Sequence, residues 1–132
     1  MIVIDASALA ELVVGGTPRA AQLAARIAGP SESLHAPHLI DLEVTSVLRS
    51  LVASQQLSST LATRAIGDLL ALDITRYPHD VLVPRIWQLR GNLTVYDAAY
   101  IALAESLRAP LVTCDRQLAA APGNRAQVEL FA

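Results

Sequence analysis

Two aspartates, Asp5 and Asp115, each stand directly after a short apolar run, Ile2-Val3-Ile4 and Leu111-Val112-Thr113-Cys114. Such β-branched runs read as buried strands, so both carboxylates fall at strand carboxyl ends. Glu43 lies on a long helical pattern whose apolar stripe is Ile40, Val44, Val47, Leu48 and Leu51. It sits three residues after Ile40 and four before Val47, at the edge of that stripe. No Arg stands three or four residues away to pair with it, and a carboxylate leaning on a core without a partner is costly. Asp97 follows Thr94 by three residues in the first turn of a helix that is apolar almost all round, sharing a face with Ile101 and Ala104. Each acid has a plainer reading. Asp5 and Asp115 are good helix N-caps, Glu43 can reach water, and Asp97 can serve a capping-box variant and the helix dipole.

Together the four acids imply a cation. Two carboxylates about 4 Å apart repel by roughly 4 kcal/mol at an effective dielectric of 20, so four cannot all stay ionised without compensation. Oxygen-only ligands select a hard ion, Mg²⁺ or Mn²⁺. Zinc is disfavoured, because His35, His38 and His79 form no ligand spacing with Cys114. A hard ion held by carboxylates suits phosphodiester hydrolysis: it lowers the pKa of a bound water and neutralises charge developing on the phosphate. Ser7 and Thr113 lie two residues from Asp5 and Asp115. Their hydroxyls are placed either to hydrogen-bond a metal ligand or its water, or simply to cap the strand ends.

The elements that must position these residues alternate along the chain. Further strands are expected at Leu34-His35-Ala36, Ile74–Tyr77 and Val128–Phe131. Helices are expected over 6–14, from the Thr17-Pro18 start to Gly29-Pro30, over 38–54, from Ser58 or Ser59 to about Leu72, over 79–90, from Thr94 to about Arg108, and over 116–121. Pro18 fits a first helical position. Pro84 should bend the 79–90 helix or confine it to a start near that residue. Alternating strands and helices predict a parallel α/β sheet with helices on both faces, where ligands bind outside the strand carboxyl ends.

Composition narrows the class. The 132 residues suit one domain, and a hydrophobic content of 53% is enough for a core and too high for disorder. Cys114 is the only cysteine, so no intrachain disulfide forms and a reducing compartment is expected. Met1-Ile2-Val3-Ile4-Asp5 does not read as a signal peptide, and no apolar run is long enough to span a bilayer. The expectation is a soluble cytoplasmic protein with no membrane partner. The net charge of −2 argues against bulk nucleic-acid binding through a basic surface. Yet all ten basic residues are Arg. Setting four of the twelve acids aside in one site leaves eight against ten Arg, so the remaining surface is net positive.

These residues carry a family likeness. Leu93-Thr94-Val95-Tyr96-Asp97-Ala98-Ala99-Tyr100-Ile101-Ala102-Leu103-Ala104-Glu105 strongly resembles the third motif of PIN-domain ribonucleases of the VapC toxin type. Ile2 through Ala8, Pro37 through Arg49 and Leu111 through Arg116 resemble the family's first, second and fourth motifs, in order and over the whole chain. The run around Asp97 is specific, whereas the other three are individually loose. The resemblance implies a PIN-like three-layer sandwich, a central parallel β-sheet flanked by helices, as one domain over residues 1–132. It implies an endoribonuclease dependent on Mg²⁺ or Mn²⁺, with Asp5, Glu43, Asp97 and Asp115 as the metal-site acids. It also implies the toxin half of a toxin–antitoxin pair, usually a homodimer, silenced by a small VapB-type antitoxin. In one departure, Ser46 stands where many relatives carry Asn, three residues after Glu43.

Rival readings fit less well. A receiver domain or a P-loop NTPase needs a Lys, and the chain has none. A haloacid-dehalogenase-type phosphatase needs two Asp separated by one residue, and here Ser7 takes the second place. A non-catalytic PIN-like module that binds RNA or protein, and a DNA nuclease of related chemistry, are the alternatives to RNA cleavage. The RNA target is not legible in the sequence.

Overall fold

In the computed structural model, which describes residues 1–132, the chain alternates strands and helices from end to end. Strand β1 (Ile2–Ile4) leads into α1 (Ala6–Val14) and α2 (Pro18–Ile27); β2 (Leu34–Pro37) into α3 (Ile40–Ala53) and α4 (Ser59–Ala71). Strand β3 (Ile74–Tyr77) is followed by a 3₁₀ turn (Asp80–Leu82), α5 (Val83–Leu89) and α6 (Val95–Leu107). Strand β4 (Leu111–Thr113), α7 (Arg116–Ala120) and β5 (Val128–Leu130) complete the chain.

Local chemistry sets most boundaries. The Thr17 hydroxyl accepts from the Ala20 N–H, Ser58 from Leu61 and Thr94 from Asp97, each satisfying a donor that a helix start leaves unpaired. Pro84 falls in the first turn of α5. Because proline has no N–H to give an inner turn, the expected 79–90 helix divides into a 3₁₀ turn and a short α-helix. The 38–54 helix begins later than expected, at Ile40. Its first turn has no side-chain cap of its own; His79 Nε2, from beyond β3, accepts the Leu39 N–H at 3.2 Å. Helix α6 ends on Arg108 in the left-handed conformation at φ 51°, its N–H bonding back to Ala104 and Glu105 carbonyls.

The five strands form one parallel sheet in the order β3-β2-β1-β4-β5. The first two crossovers run one way along the sheet and the β3-to-β4 crossover runs back across it. Right-handed crossovers therefore put α1–α4 on one face and α5–α6 on the other. The helix contacts agree: α1 packs on α2, α3 and α4, while α5 and α6 pack on each other, with α6 also lying on β1 and β2. This is the expected three-layer sandwich. Ile2, Val3 and Ile4 are fully buried, and so is every residue of α6 from Ala98 to Ala104. A helix apolar on all sides is a core helix, so α6 is held in place by packing on β1, β2 and β4. Strand order reverses between β1 and β4, and ligands of open α/β sheets bind beyond the strand ends at such a point.

Candidate active site

Asp5 follows β1 and Asp115 follows β4, so neighbouring strands deliver both carboxylates to the switch point. Asp5 is only 4% exposed. Its Oδ1 accepts from the Ala8 N–H at 3.0 Å, capping α1, and from the Ser7 hydroxyl at 2.7 Å. Its Oδ2 accepts a short hydrogen bond from the fully buried Thr113 hydroxyl. Ser7 and Thr113 are fixed in turn. Ser7 Oγ accepts from the Cys114 N–H at 3.0 Å, and Thr113 Oγ1 from the Asp115 N–H at 2.9 Å. The two hydroxyls thus tie β1, the start of α1 and the end of β4 into one unit around the Asp5 carboxylate. Asp115 Oδ1 caps α7, accepting from Gln117 and Leu118. Capping therefore occurs at both strand-end aspartates, and it aims them while leaving Asp115 one oxygen free of these bonds.

Glu43, on α3, and Asp97, on α6, are half-buried. Tyr100, on the same helix as Asp97, donates its hydroxyl to Glu43 Oε1 at 2.7 Å, joining the two helix layers. The sequence reading gave Tyr100 no role. The three-residue spacing from Asp97 puts the two on one face of α6, but the partner lies 57 residues away, where local spacing carries no information.

The electrostatics couple the four acids. Burial pushes the Asp5 carboxyl above its ordinary value; the Thr113, Ala8 and Ser7 bonds pull it back, and the Asp115 charge adds to the rise. Burial also raises Glu43, against the pull of the Tyr100 bond, with the charges of Asp97 and Asp5 raising it further. Asp97 is raised by burial and by Asp115, partly offset by the Thr94 hydroxyl. Burial and the Glu43 carboxylate push the Tyr100 phenol far above its ordinary value, so it remains a donor. No ion pair reaches any of the four acids. Asp41, Glu11, Glu32, Glu105 and Glu129 have Arg partners, and Asp68, Asp73 and Asp80 are exposed to water. Only Asp5, Glu43, Asp97 and Asp115 are buried or half-buried without a cation.

The donor set is all oxygen, which fits a hard divalent ion. No three His, Cys, Asp or Glu side chains close to metal-holding distance. Mg²⁺ does not require that, since it usually keeps several waters and takes one or two carboxylates directly. Mutual repulsion of uncompensated carboxylates also favours a spread arrangement.

A family model described as PIN domain matches residues 2–124. The chain belongs to the PIN-domain family. Its relatives include ribonuclease VapC12 of Mycobacterium tuberculosis, 42% identical over 132 residues and covering 100% of both chains. Among solved structures, PAE2754 from Pyrobaculum aerophilum superposes with a TM-score of 0.70 at 26% identity, over 96% of this chain and 81% of that one. A toxin–antitoxin complex from Klebsiella pneumoniae matches with a TM-score of 0.60 at 19% identity, over 100% of this chain and 98% of that one. No helix of this chain is long and apolar enough to cross a membrane.

Proposed function

We propose that the protein is an endoribonuclease, the toxin component of a VapBC-type pair, that hydrolyses RNA phosphodiester bonds with Mg²⁺, or Mn²⁺ in its place. The observation that carries this reading is the set of four buried or half-buried acids at the switch point, none with a cationic partner. The kinship with a VapC ribonuclease over the full chain supports RNA as the substrate. Asp5, Asp97 and Asp115 would hold the ion, directly or through water. When bound, it would supply a water of lowered pKa and neutralise charge on the scissile phosphate.

The chain's own groups do the rest. Ser7 and Thr113 hold both Asp5 oxygens in fixed directions and favour the ionised carboxylate. Glu43 either completes the site or accepts the proton of the attacking water. Arg116, which is exposed, adjoins Asp115 in sequence and has no ion pair, is the Arg proposed here to meet the phosphate backbone.

A VapB-type antitoxin is the expected partner, and the Klebsiella pneumoniae complex supports it. The family likeness also implies a homodimer. An exposed apolar groove between α5 and α6, formed by Val83, Trp87, Val95 and Tyr96, supports that assembly. In this reading residues 1–132 work as a single cytoplasmic PIN domain.

The test compares RNA and DNA oligonucleotides with wild type and Asp5→Asn, each shown to be folded by circular dichroism. Cleavage of RNA by the wild type alone is expected. Binding without cleavage would favour the inert module, and preference for DNA the related DNA nuclease. Sequencing RNA ends after induction of wild type and Asp97→Asn would then identify the target.

A further inference from the structure

The Glu43 side chain makes one hydrogen bond to the protein, and it is not to its own helix. Its Oε1 accepts from the hydroxyl of Tyr100, a residue 1% exposed on the core helix α6. The Tyr100 ring lies in the core cluster, so the hydroxyl has little freedom to follow a moving partner. A glutamate carboxylate rotates about three side-chain torsions, and one bond from a fixed donor removes most of that freedom. The bond also uses only one oxygen, leaving Oε2 free of hydrogen bonds to the protein. Asp97 is one turn back on the same helix, so α6 carries both one acid of the site and the clamp on another. The distance between Glu43 and Asp97 is therefore set through Tyr100 as well as by the packing of the two layers.

We propose that Tyr100 is a positioning residue for the reaction, holding Glu43 Oε1 so that Oε2 is presented to the attacking water or the ion. The role rests on the ribonuclease reading above. It does not depend on whether Glu43 binds metal or takes the proton, because both tasks need the carboxylate at a fixed place.

The test uses Tyr100→Phe, which keeps the ring and removes one oxygen, in wild type and in Glu43→Ala. Two readouts are taken: cleavage of an RNA oligonucleotide in Mn²⁺, and the melting temperature of the metal-free protein. In the wild-type background kcat should fall at least about tenfold while KM stays within about twofold, the pattern of lost transition-state alignment. The melting temperature should drop in wild type and drop less in Glu43→Ala, where the hydroxyl has already lost its acceptor. A kcat within twofold of wild type would overturn the role. So would an equal melting loss in both backgrounds, which would mark Tyr100 as a packing residue only. If wild type itself leaves RNA intact, the ribonuclease reading and the catalytic role fall together, and the melting cycle still reports whether Tyr100 holds Glu43.

Discussion

At the scale of single residues, Asp5 shows how the site is prepared. It is nearly buried, and burial alone would favour its protonated form. Three donors, Thr113, the Ala8 N–H and Ser7, act against that. Thr113→Val keeps the shape and removes both the donor to Asp5 Oδ2 and the acceptor of the Asp115 N–H. Leaving buried polar groups unpaired costs about 1–3 kcal/mol each. Urea denaturation near neutral pH should show a loss of that order, with cleavage falling alongside; unchanged stability would mean the hydroxyl is idle. The sequence singled out all four acids and both hydroxyls as candidates, since strand-end position and helical spacing are local properties. It left open whether Ser7 and Thr113 serve Asp5 or merely cap, because the answer depends on β1 lying beside β4, over a hundred residues apart. Tyr100 was opaque for the same reason: a tyrosine inside an apolar helix looks like core, and it is core at the ring.

At the scale of elements, α6 matters most. Its start is fixed by the Thr94 hydroxyl, which accepts from the N–H of Asp97 itself. Thr94→Ala should cost about 1 kcal/mol of stability. It should also reduce cleavage beyond what stability explains, because the lost bond is at the residue that carries a site acid. A thermal melt and a turnover measurement on the same sample separate the two effects; a normal turnover would show that packing from Ala98 to Ala104 alone sets Asp97. The strands and helices themselves were legible, since each strand is a short β-branched or apolar run and most helix starts carry a Thr, Ser or Asp cap. The boundaries that moved have identifiable causes. Pro84 split one helix, and the start of α3 carries no local side-chain cap; the Leu39 N–H is met instead by His79, a loop residue 40 positions away.

At the scale of the whole molecule, the acids make stability depend on pH, and in the proposed reading on metal as well. Asp5, Glu43 and Asp97 all have folded values raised above their ordinary 3.8 or 4.5. The folded state then binds protons more readily than the unfolded chain, so each contribution falls as pH rises through the raised value. Glu11, Glu32 and Glu105 are lowered, and their contributions are lost only as pH falls below 4.5. His35, lowered by burial, costs stability as pH falls below 6.5. The site's share is therefore read as a difference. Without metal, wild type should lose melting temperature relative to Asp5→Asn as pH rises above 3.8, the ordinary value from which Asp5 is raised. With Mg²⁺ the difference should reverse, because binding requires ionised carboxylates. A wild type that gains on Asp5→Asn with rising pH in the absence of metal would contradict this electrostatic picture.

The central claim is that four acids without cationic partners form a metal-dependent ribonuclease centre. Its most direct test is cleavage of a single-stranded RNA oligonucleotide by wild type and Asp97→Asn, with excess chelator and then with Mg²⁺ or Mn²⁺ restored. The account predicts no cleavage by wild type under chelator, full recovery on adding either ion, and none by Asp97→Asn in any condition. Undiminished wild-type cleavage under excess chelator, or cleavage by Asp97→Asn at the wild-type rate, would contradict it.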